Sequence, residues 1–579
     1  MYRLAWELTY CCLDRAEKIM EQPKPEGSVW PYVAAGALLV ILLAAVRWSL
    51  DHPYGIHWDE SLYLNEAHID VHRLYDGRLR GLARRLLFDS TGRPPAYRLI
   101  ALPFLGMFGF HTAVARLVSL ACFGASCWFL YGATRRIGSA VAGAFAVLIF
   151  ALSPDVVAAA IFFGTDAPMY LATTAMLYYL FTCWSDPQAH PKNWIGLGLA
   201  IGVGFLSKAS FLPIALPVLA FWLVAGYFRK FGLPSIFSQW KAGALAFVIA
   251  MPWWVLNVQA AMAYTRFARG FVRNSLGPPS LMTWMRWLNT VFQCLLGHGV
   301  SVLIVLIALL YLRKAIAGKE TFFDPLQKAA LGACACVGGP ILLAQLSGTN
   351  HLLRHISPAV IPLAIAIGML VDKVNWGRSA GSITISGILL GAQLLMLLAP
   401  VAIPNTKDVD LGYVNGALPW RTMVRFDQWD WSPVRGIADS CNVTWPKIAF
   451  LGSGRVFNPP SIQAEWLNRP PLKPSLTEDV PYVKWLWHYE QGPIDWQKVM
   501  DFTRQSDIVF TAPHYVGEAR NKEDLDNQHN IEFLNRLSQE PDFQGPIRLE
   551  MGRFDPVEMD VFVKKSLGCP VGQTAAPKP

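Results

Sequence analysis

Apolar runs close to 20 residues long recur along this chain, and no other feature constrains its fold as much. A helix rises 1.5 Å per residue, so about 20 apolar residues cross the roughly 30 Å hydrocarbon core of a bilayer. Such runs lie near 31–50, 112–134, 139–153, 166–183, 194–208, 209–228, 238–257, 287–312, 327–346, 356–372 and 381–403, giving about 11 spans. Only 16% of the 579 residues are charged and 53% are hydrophobic. Ordinary soluble proteins carry roughly 25% charged residues. Disorder, collagen, a coiled coil and a purely soluble enzyme are thereby excluded.

Residues 2–20 carry charges throughout, and Ala5, Leu8, Cys12, Ala16 and Ile19 share one helical face. That pattern reads as an interfacial helix, not a cleavable signal. Segment 95–110 is ambiguous. It is about 15 residues long, abuts Pro94 and Pro95 and contains Pro103, which suits a juxtamembrane helix better than a full span. With 95–110 not crossing, Arg135, Arg136, Lys192, Arg229, Lys230, Arg313, Lys314, Lys319, Lys373 and Arg378 fall in short loops on one side. The short loops opposite hold little beyond Lys208 and Arg354. The positive-inside bias then makes the N-terminus cytoplasmic and puts residues 405–579 outside. The expected plan is a cytoplasmic interfacial helix and linker at 1–30, a transmembrane domain at 31–404 with an outside juxtamembrane loop at 51–111, and an extracytoplasmic α/β domain at 405–579. A second outside loop, 258–286, carries Arg266, Arg269 and Arg273.

Charge separates the two main parts. Residues 405–579 hold 19 Lys and Arg against 23 Asp and Glu, whereas the rest hold 31 against 18. A basic membrane part suits anionic lipid or phosphate partners. The chain shows no basic repeat or nucleic-acid motif, so nucleic acid is not an expected partner. In the C-terminal part, 447–451, 507–511, 547–551 and 559–563 read as strands, and 495–505 and 523–537 have helical spacing. The turn Leu451-Gly-Ser-Gly-Arg455 lacks a full dinucleotide-binding fingerprint. Cys441 and Cys569 are the only cysteines in this part and can pair if it is extracytoplasmic. Trp429, Trp431, Trp485 and Trp487 suit core packing, interfacial anchoring or sugar stacking. Cys334 and Cys336 sit in an apolar run and read as helix packing; Cys11 and Cys12 flank the membrane, where acylation is an open reading.

Two acidic helix starts face the same side in this topology. Asp59 and Glu60 follow the first span, and Asp166 opens a later one. Each suits a helix N-terminus electrostatically. Together, beside an Arg-rich loop, they also suit activation of a hydroxyl next to a bound phosphate.

Asp59-Glu60 with Tyr63 and Ala67 resembles the D-E-x-x-Y-x-x-x-A start of the first loop in polyprenyl-phosphate-sugar-dependent glycosyltransferases of the GT-C membrane fold. These include the protein O-mannosyltransferases and the lipid A aminoarabinose transferases. Arg93-Pro94-Pro95-Ala96-Tyr97 is similar to their K-P-P-L-x-Y segment. Phe108-Gly109 with Ala115-Arg116-Leu117, Ser153-Pro154 with Thr165-Asp166, Phe205-Leu206-Ser207-Lys208, and Arg354 with Pro358 resemble later elements in the same order. The likeness is best over about 55–210. One departure is Gly92 where relatives carry Glu, so any acid or metal role of that Glu does not carry over.

The resemblance implies a single inverting displacement at the anomeric carbon of a sugar carried on a polyprenyl phosphate, outside the cell membrane, which in a bacterium is the inner membrane. It implies Asp59 as the base, with Asp166 and Glu60 as further catalytic carboxylates. Arg93, Lys208, Arg354 and His355 would hold the leaving phosphate, with His351 as a further candidate, and Arg116 would anchor a helix end. The partners implied are the lipid-linked donor, an acceptor glycan, lipid or protein, and membrane lipids. No cofactor is called for; a divalent cation stays open, without a clear metal motif. Two rival readings share the span count: a lipid-linked sugar transporter or flippase, and a non-catalytic membrane assembly factor. Release of sugar from a lipid-linked donor separates an enzyme from both.

Overall fold

The computed structural model describes residues 28–55, 58–88, 92–185, 193–228, 230–276, 281–318, 322–347, 353–402, 429–452, 457–467, 481–487, 493–513, 525–552 and 557–569. The expectations for 2–20, His57, His351, Arg455 and the boundary near residue 405 lie outside them.

Helices occupy all eleven expected places. Among the described residues, eight helices are long and apolar enough to cross a membrane, or nine if the bent pair Ala140–Ala151 and Pro154–Ile161 counts as one span. The remaining two expected runs are helices of another kind. Asn193–Ser207 has only 15 residues, about 22 Å of helix. Asp166–Ser185 opens on a carboxylate and carries three threonines and three tyrosines, with Tyr170, Thr173 and Thr174 among those buried in the bundle. Thr173 and Thr174 turn their hydroxyls back onto the Met169 and Tyr170 carbonyls, which satisfies them inside the helix. The run expected at 287–312 begins later, at His298, after a separate helix Leu281–Thr290 and a wide turn.

Long buried helices form the centre of the membrane part. Ala140–Ala151 is buried along nearly its whole length and packs against Thr112–Ile137, Trp30–Asp51 and Val360–Val374. Its start is held across the bundle, since Asp372 accepts from the Ser139 backbone N–H at 2.7 Å. The chain then breaks at Ser153-Pro154 and turns by 69° into Pro154–Ile161. Proline at a first helical turn suits such a restart, since its missing N–H would have no partner there.

The segment read as an outside loop at 51–111 is three helices: Trp58–Tyr75, Leu79–Leu87 and Ala96–Phe108. The last has 13 residues, about 20 Å, too short to span. The region expected as a second loop at 258–286 differs from its expectation. Trp240–Leu276 continues as one helix far past 257, because nothing between them breaks a helix: residues 253–276 contain a single Gly and no Pro.

In the C-terminal part, β1 (Ile448–Leu451), β2 (Val483–Trp485), β3 (Ile508–Thr511), β4 (Phe543–Met551) and β5 (Val557–Lys564) form one sheet in the order β2-β1-β3-β5-β4. β2, β1 and β3 are parallel, and β5 and β4 close the edge antiparallel. β1 and β3 read IAFL and IVFT and are buried throughout, as a parallel strand covered on both faces must be. The short strand β2 and the helices Ser432–Ser440 and Pro459–Leu467 were not legible in the sequence. Cys441 and Cys569 form a disulfide. Trp429 and Trp431 are buried against Phe457 in the sheet's core.

Candidate active site

The Trp58–Tyr75 helix organises the site. Successive residues turn by about 100°, so Asp59 and Tyr63 share one face, Glu60 and Ala67 a second, and Ser61, Asn65 and His68 a third. The third face meets the C-terminal part. Asn65 Nδ2 donates to the Pro460 carbonyl at 2.8 Å, Ser61 and Ser461 hydroxyls lie 3.0 Å apart, and the Trp58 and Trp485 rings are 5.1 Å apart. A cavity of about 350 Å³ lies on this side, lined among others by His68, Trp431 and Glu465.

The second face is turned into the protein. Glu60 is fully buried and accepts from Arg116 Nε at 2.9 Å and Nη2 at 2.8 Å, while Oε1 also takes the Phe163 backbone N–H at 3.0 Å. Arg116 further donates to the His52 and Tyr54 carbonyls. With both oxygens engaged and the side chain sealed, Glu60 joins three segments. Arg116 has the anchoring part expected of it.

The first face carries the charge. Arg354 Nη1 lies 2.6 Å from Asp59 Oδ2, and Arg93 Nη2 lies 3.6 Å from Oδ1. Arg93 is held between two phenol rings, 5.3 Å from the Tyr63 centroid and 5.0 Å from that of Tyr264, and donates to the Tyr264 hydroxyl at 3.4 Å. Flat guanidinium groups stack well in this way. Burial raises the Tyr63 phenol above its ordinary range, so it stays neutral beside the cation. Gly92 sets the approach of Arg93. Its φ is +69°, and a Cβ there would meet the Ala260 carbonyl oxygen at 2.5 Å. Glycine at position 92 is therefore what lets this turn close on the Trp240–Leu276 helix.

Asp166 pairs with Lys208 at 2.6 Å. His355 follows Arg354 and interacts electrostatically with Lys208, Arg354 and Asp59. The structure thus brings together Asp59, Asp166, Arg93, Lys208, Arg354 and His355, and leaves Glu60 outside the cluster. It adds Tyr264, 171 residues from Arg93 in sequence, and Asp155. A weak signal for Asp155 existed in its place directly after the Ser153-Pro154 helix start; Tyr264 had none. A second ionic cluster fixes the same helix further along: Arg98 grips Asp70 at 2.6 and 2.7 Å, and Arg85 bridges Asp70 and Glu66. Among the described residues, no group of three or more His, Cys, Asp or Glu is placed to hold a metal ion.

This architecture, a helical membrane bundle with juxtamembrane helices and a small sheet domain seated on them, is shared with solved structures. The family described as dolichyl-phosphate-mannose-protein mannosyltransferase matches residues 92–256. The chain is similar to undecaprenyl phosphate-α-4-amino-4-deoxy-L-arabinose arabinosyl transferase 1 of Pseudomonas fluorescens, with 26% identity over 312 residues. That match covers 52% of this chain and 54% of the relative, about half of each. ArnT from Cupriavidus metallidurans bound to undecaprenyl phosphate shares the fold, with a TM-score of 0.54 and 14% identity over 95% of this chain and 99% of that one. Its apo form gives 0.52 and 15%, over 94% and 100%.

Proposed function

We propose that this protein is an integral-membrane glycosyltransferase that moves a sugar from a polyprenyl phosphate to an acceptor, with inversion. The observation that carries the reading is the convergence of Asp59, Arg93 and Arg354 beside Asp166 and Lys208 at one end of the bundle. In the reaction, the acceptor hydroxyl gives its proton to Asp59, and its oxygen bonds to the anomeric carbon. The bond from that carbon to the phosphate oxygen breaks, and the electron pair leaves with the polyprenyl phosphate. Arg93 and Arg354 stabilise the charge that develops there, with Lys208 and His355 adjacent. Asp166 orients the acceptor or supports Asp59.

The ion pairs add a coupling to this scheme. Asp59 engages both arginines. A donor phosphate competes for the same guanidinium groups and releases the carboxylate to act as a base. The base is thus freed when a substrate is present.

The reaction end of the bundle and residues 405–579 are assigned to the extracytoplasmic face, in a bacterium the periplasmic side of the inner membrane. The Cys441–Cys569 disulfide supports this, since such bonds persist in oxidising compartments, as does the basic pair Arg135 and Arg136 ending a span on the other side. The domain limits are taken as 1–30, 31–404 and 405–579. Membrane lipids and the lipid-linked donor are the partners; the acceptor is a glycan, lipid or protein.

Protein reconstituted in liposomes with undecaprenyl phosphate carrying a hexose, a pentose or an amino sugar tests the activity. Sugar-dependent release of undecaprenyl phosphate is expected, and none with any donor and acceptor pair counts against an enzyme. Cysteine labelling at Ser90→Cys and Arg136→Cys tests orientation: only the first should react from outside intact cells.

A further inference from the structure

Asp155 is the carboxylate in the cluster without a salt-bridge partner among the described residues. It sits in the first turn of Pro154–Ile161, 2% exposed, and its Oδ2 has no hydrogen-bond partner among the described residues. The charged and titratable groups facing it are Asp166 and Tyr170 on one helix, Lys208, and Arg354. Both cations are engaged elsewhere, Lys208 by Asp166 and Arg354 by Asp59. Arg354 nevertheless keeps one buried donor, Nε, without a partner among the described residues. Unpaired buried polar groups are costly and rarely persist without a use.

Asp155 and Arg354 line one small cleft with Asp166, closed by Ala158, Ala159 and Phe162. Its volume is about 10 Å³, room for about one water-sized group. The pair of unmet groups defines the chemistry of the occupant. Asp155 needs a donor and Arg354 needs an acceptor, and a hydroxyl is both. A phosphate offers the carboxylate only like charge, and an ammonium has no lone pair for Arg354. The arginine also links this cleft to the proposed phosphate position, because its Nη1 reaches Asp59. A sugar joined to that phosphate supplies such a hydroxyl.

We propose that Asp155 and Arg354 form a subsite for one hydroxyl group of the donor's sugar, with Asp155 accepting and Arg354 Nε donating. This rests on the reading of the site as one for a polyprenyl-phosphate sugar. Asp155 then recognises the sugar without touching the leaving phosphate.

Binding to the full-length protein in nanodiscs distinguishes the two readings. The probes are undecaprenyl phosphate alone and undecaprenyl phosphate bearing a hexose, a pentose or an amino sugar. Wild-type protein should bind at least one sugar-bearing lipid more tightly than the bare one. Asp155→Ala should erase that gain, a loss of about 10- to 100-fold for a hydrogen bond to a charged group, while bare-lipid affinity stays within about twofold. Asp155→Asn keeps an oxygen acceptor and should lose less; it carries the test if the alanine variant does not fold. An undiminished sugar gain in these variants would mean that the cleft holds only a water, and would overturn the proposal. So would equal loss for bare and sugar-bearing lipids, or no gain from any sugar in the wild type. Failure of the wild type to bind even the bare lipid defeats the parent reading, and this one with it.

Discussion

Glu60→Gln should unfold this protein more readily and leave its chemistry intact. The substitution keeps the side-chain volume but removes the counter-charge from Arg116, which is as fully buried as Glu60 itself. It also replaces one accepting oxygen, 2.8 or 2.9 Å from a guanidinium N–H, with a donor. Breaking one side of a buried ion pair costs about 3–5 kcal/mol, because the remaining charge stays desolvated. In a chain this large, with about 2 cal/mol/K of unfolding entropy per residue, that corresponds to a fall in Tm on the order of 2–4 °C. The double variant Glu60→Leu, Arg116→Met removes both charges and should recover part of the loss. Full recovery is not expected, since Arg116 also serves the His52 and Tyr54 carbonyls, and each orphaned carbonyl costs about 1–3 kcal/mol. Thermal unfolding of the detergent-purified variants, followed by tryptophan fluorescence, gives the stabilities; sugar release per folded molecule gives the activity. A Glu60→Gln protein with wild-type Tm and no turnover would show instead that Glu60 acts on substrate.

Three other outcomes follow from the geometry. Asp59→Asn should lower sugar release by roughly 10²–10⁴-fold, the usual contribution of a general base, with no loss of undecaprenyl phosphate binding; near-normal release would reduce Asp59 to a helix-start residue. Arg93→Ala and Arg354→Ala should each weaken undecaprenyl phosphate binding, and less than additively when combined, since both reach Asp59 and so one small volume. Arg93→Lys should be milder than Arg93→Ala but not neutral, because a lysine cannot lie flat between Tyr63 and Tyr264; unchanged binding in both alanine variants would remove the phosphate assignment. His68 is packed on Phe110 and His72, and burial first, then the His72 charge, lowers its pKa from 6.5 to about 3. The unfolded chain therefore binds this proton more readily, so stability present above pH 6.5 is lost as pH falls towards 3, about 2 kcal/mol of it by pH 5. His52, lowered to about 4, acts with the same sign. His68→Phe should flatten the fall between pH 7 and 5 by its share, and an unchanged slope in urea or thermal unfolding would contradict the burial argument.

The membrane plan was legible because it depends on properties that repeat locally. An apolar run announces a helix wherever it lies, and a Pro-flanked 15-residue run such as 95–110 announces a short one. The acid starts at Asp59 and Asp166 and the cations Arg93, Lys208 and Arg354 stood out as charges in apolar surroundings. The limits of such reading appear at Asp59 and Glu60. As neighbours in sequence they look alike, yet about 100° of helical rotation sends one to the cations and the other into the bundle, and only the packed partners decide which is which. The helix extension from 258 to 276 was misread because basic residues resemble a loop when the helix they continue is judged by hydropathy alone.

What the sequence by itself determined is the place of the apolar helices, the β1 and β3 strands and the short list of charged residues, since these follow from residue type and spacing within one or two turns. Tertiary structure alone decided the pairs. Arg93 meets Tyr264 across 171 residues, Glu60 meets Arg116 across 56, and Gly92 is needed because the Ala260 carbonyl passes close to it. Asp155 gains its meaning only from what does not reach it: Lys208 and Arg354 face it but bind other carboxylates. Complementarity of this kind depends on how whole helices pack, and a chain's local pattern sets the faces a helix offers without setting which neighbour covers each one.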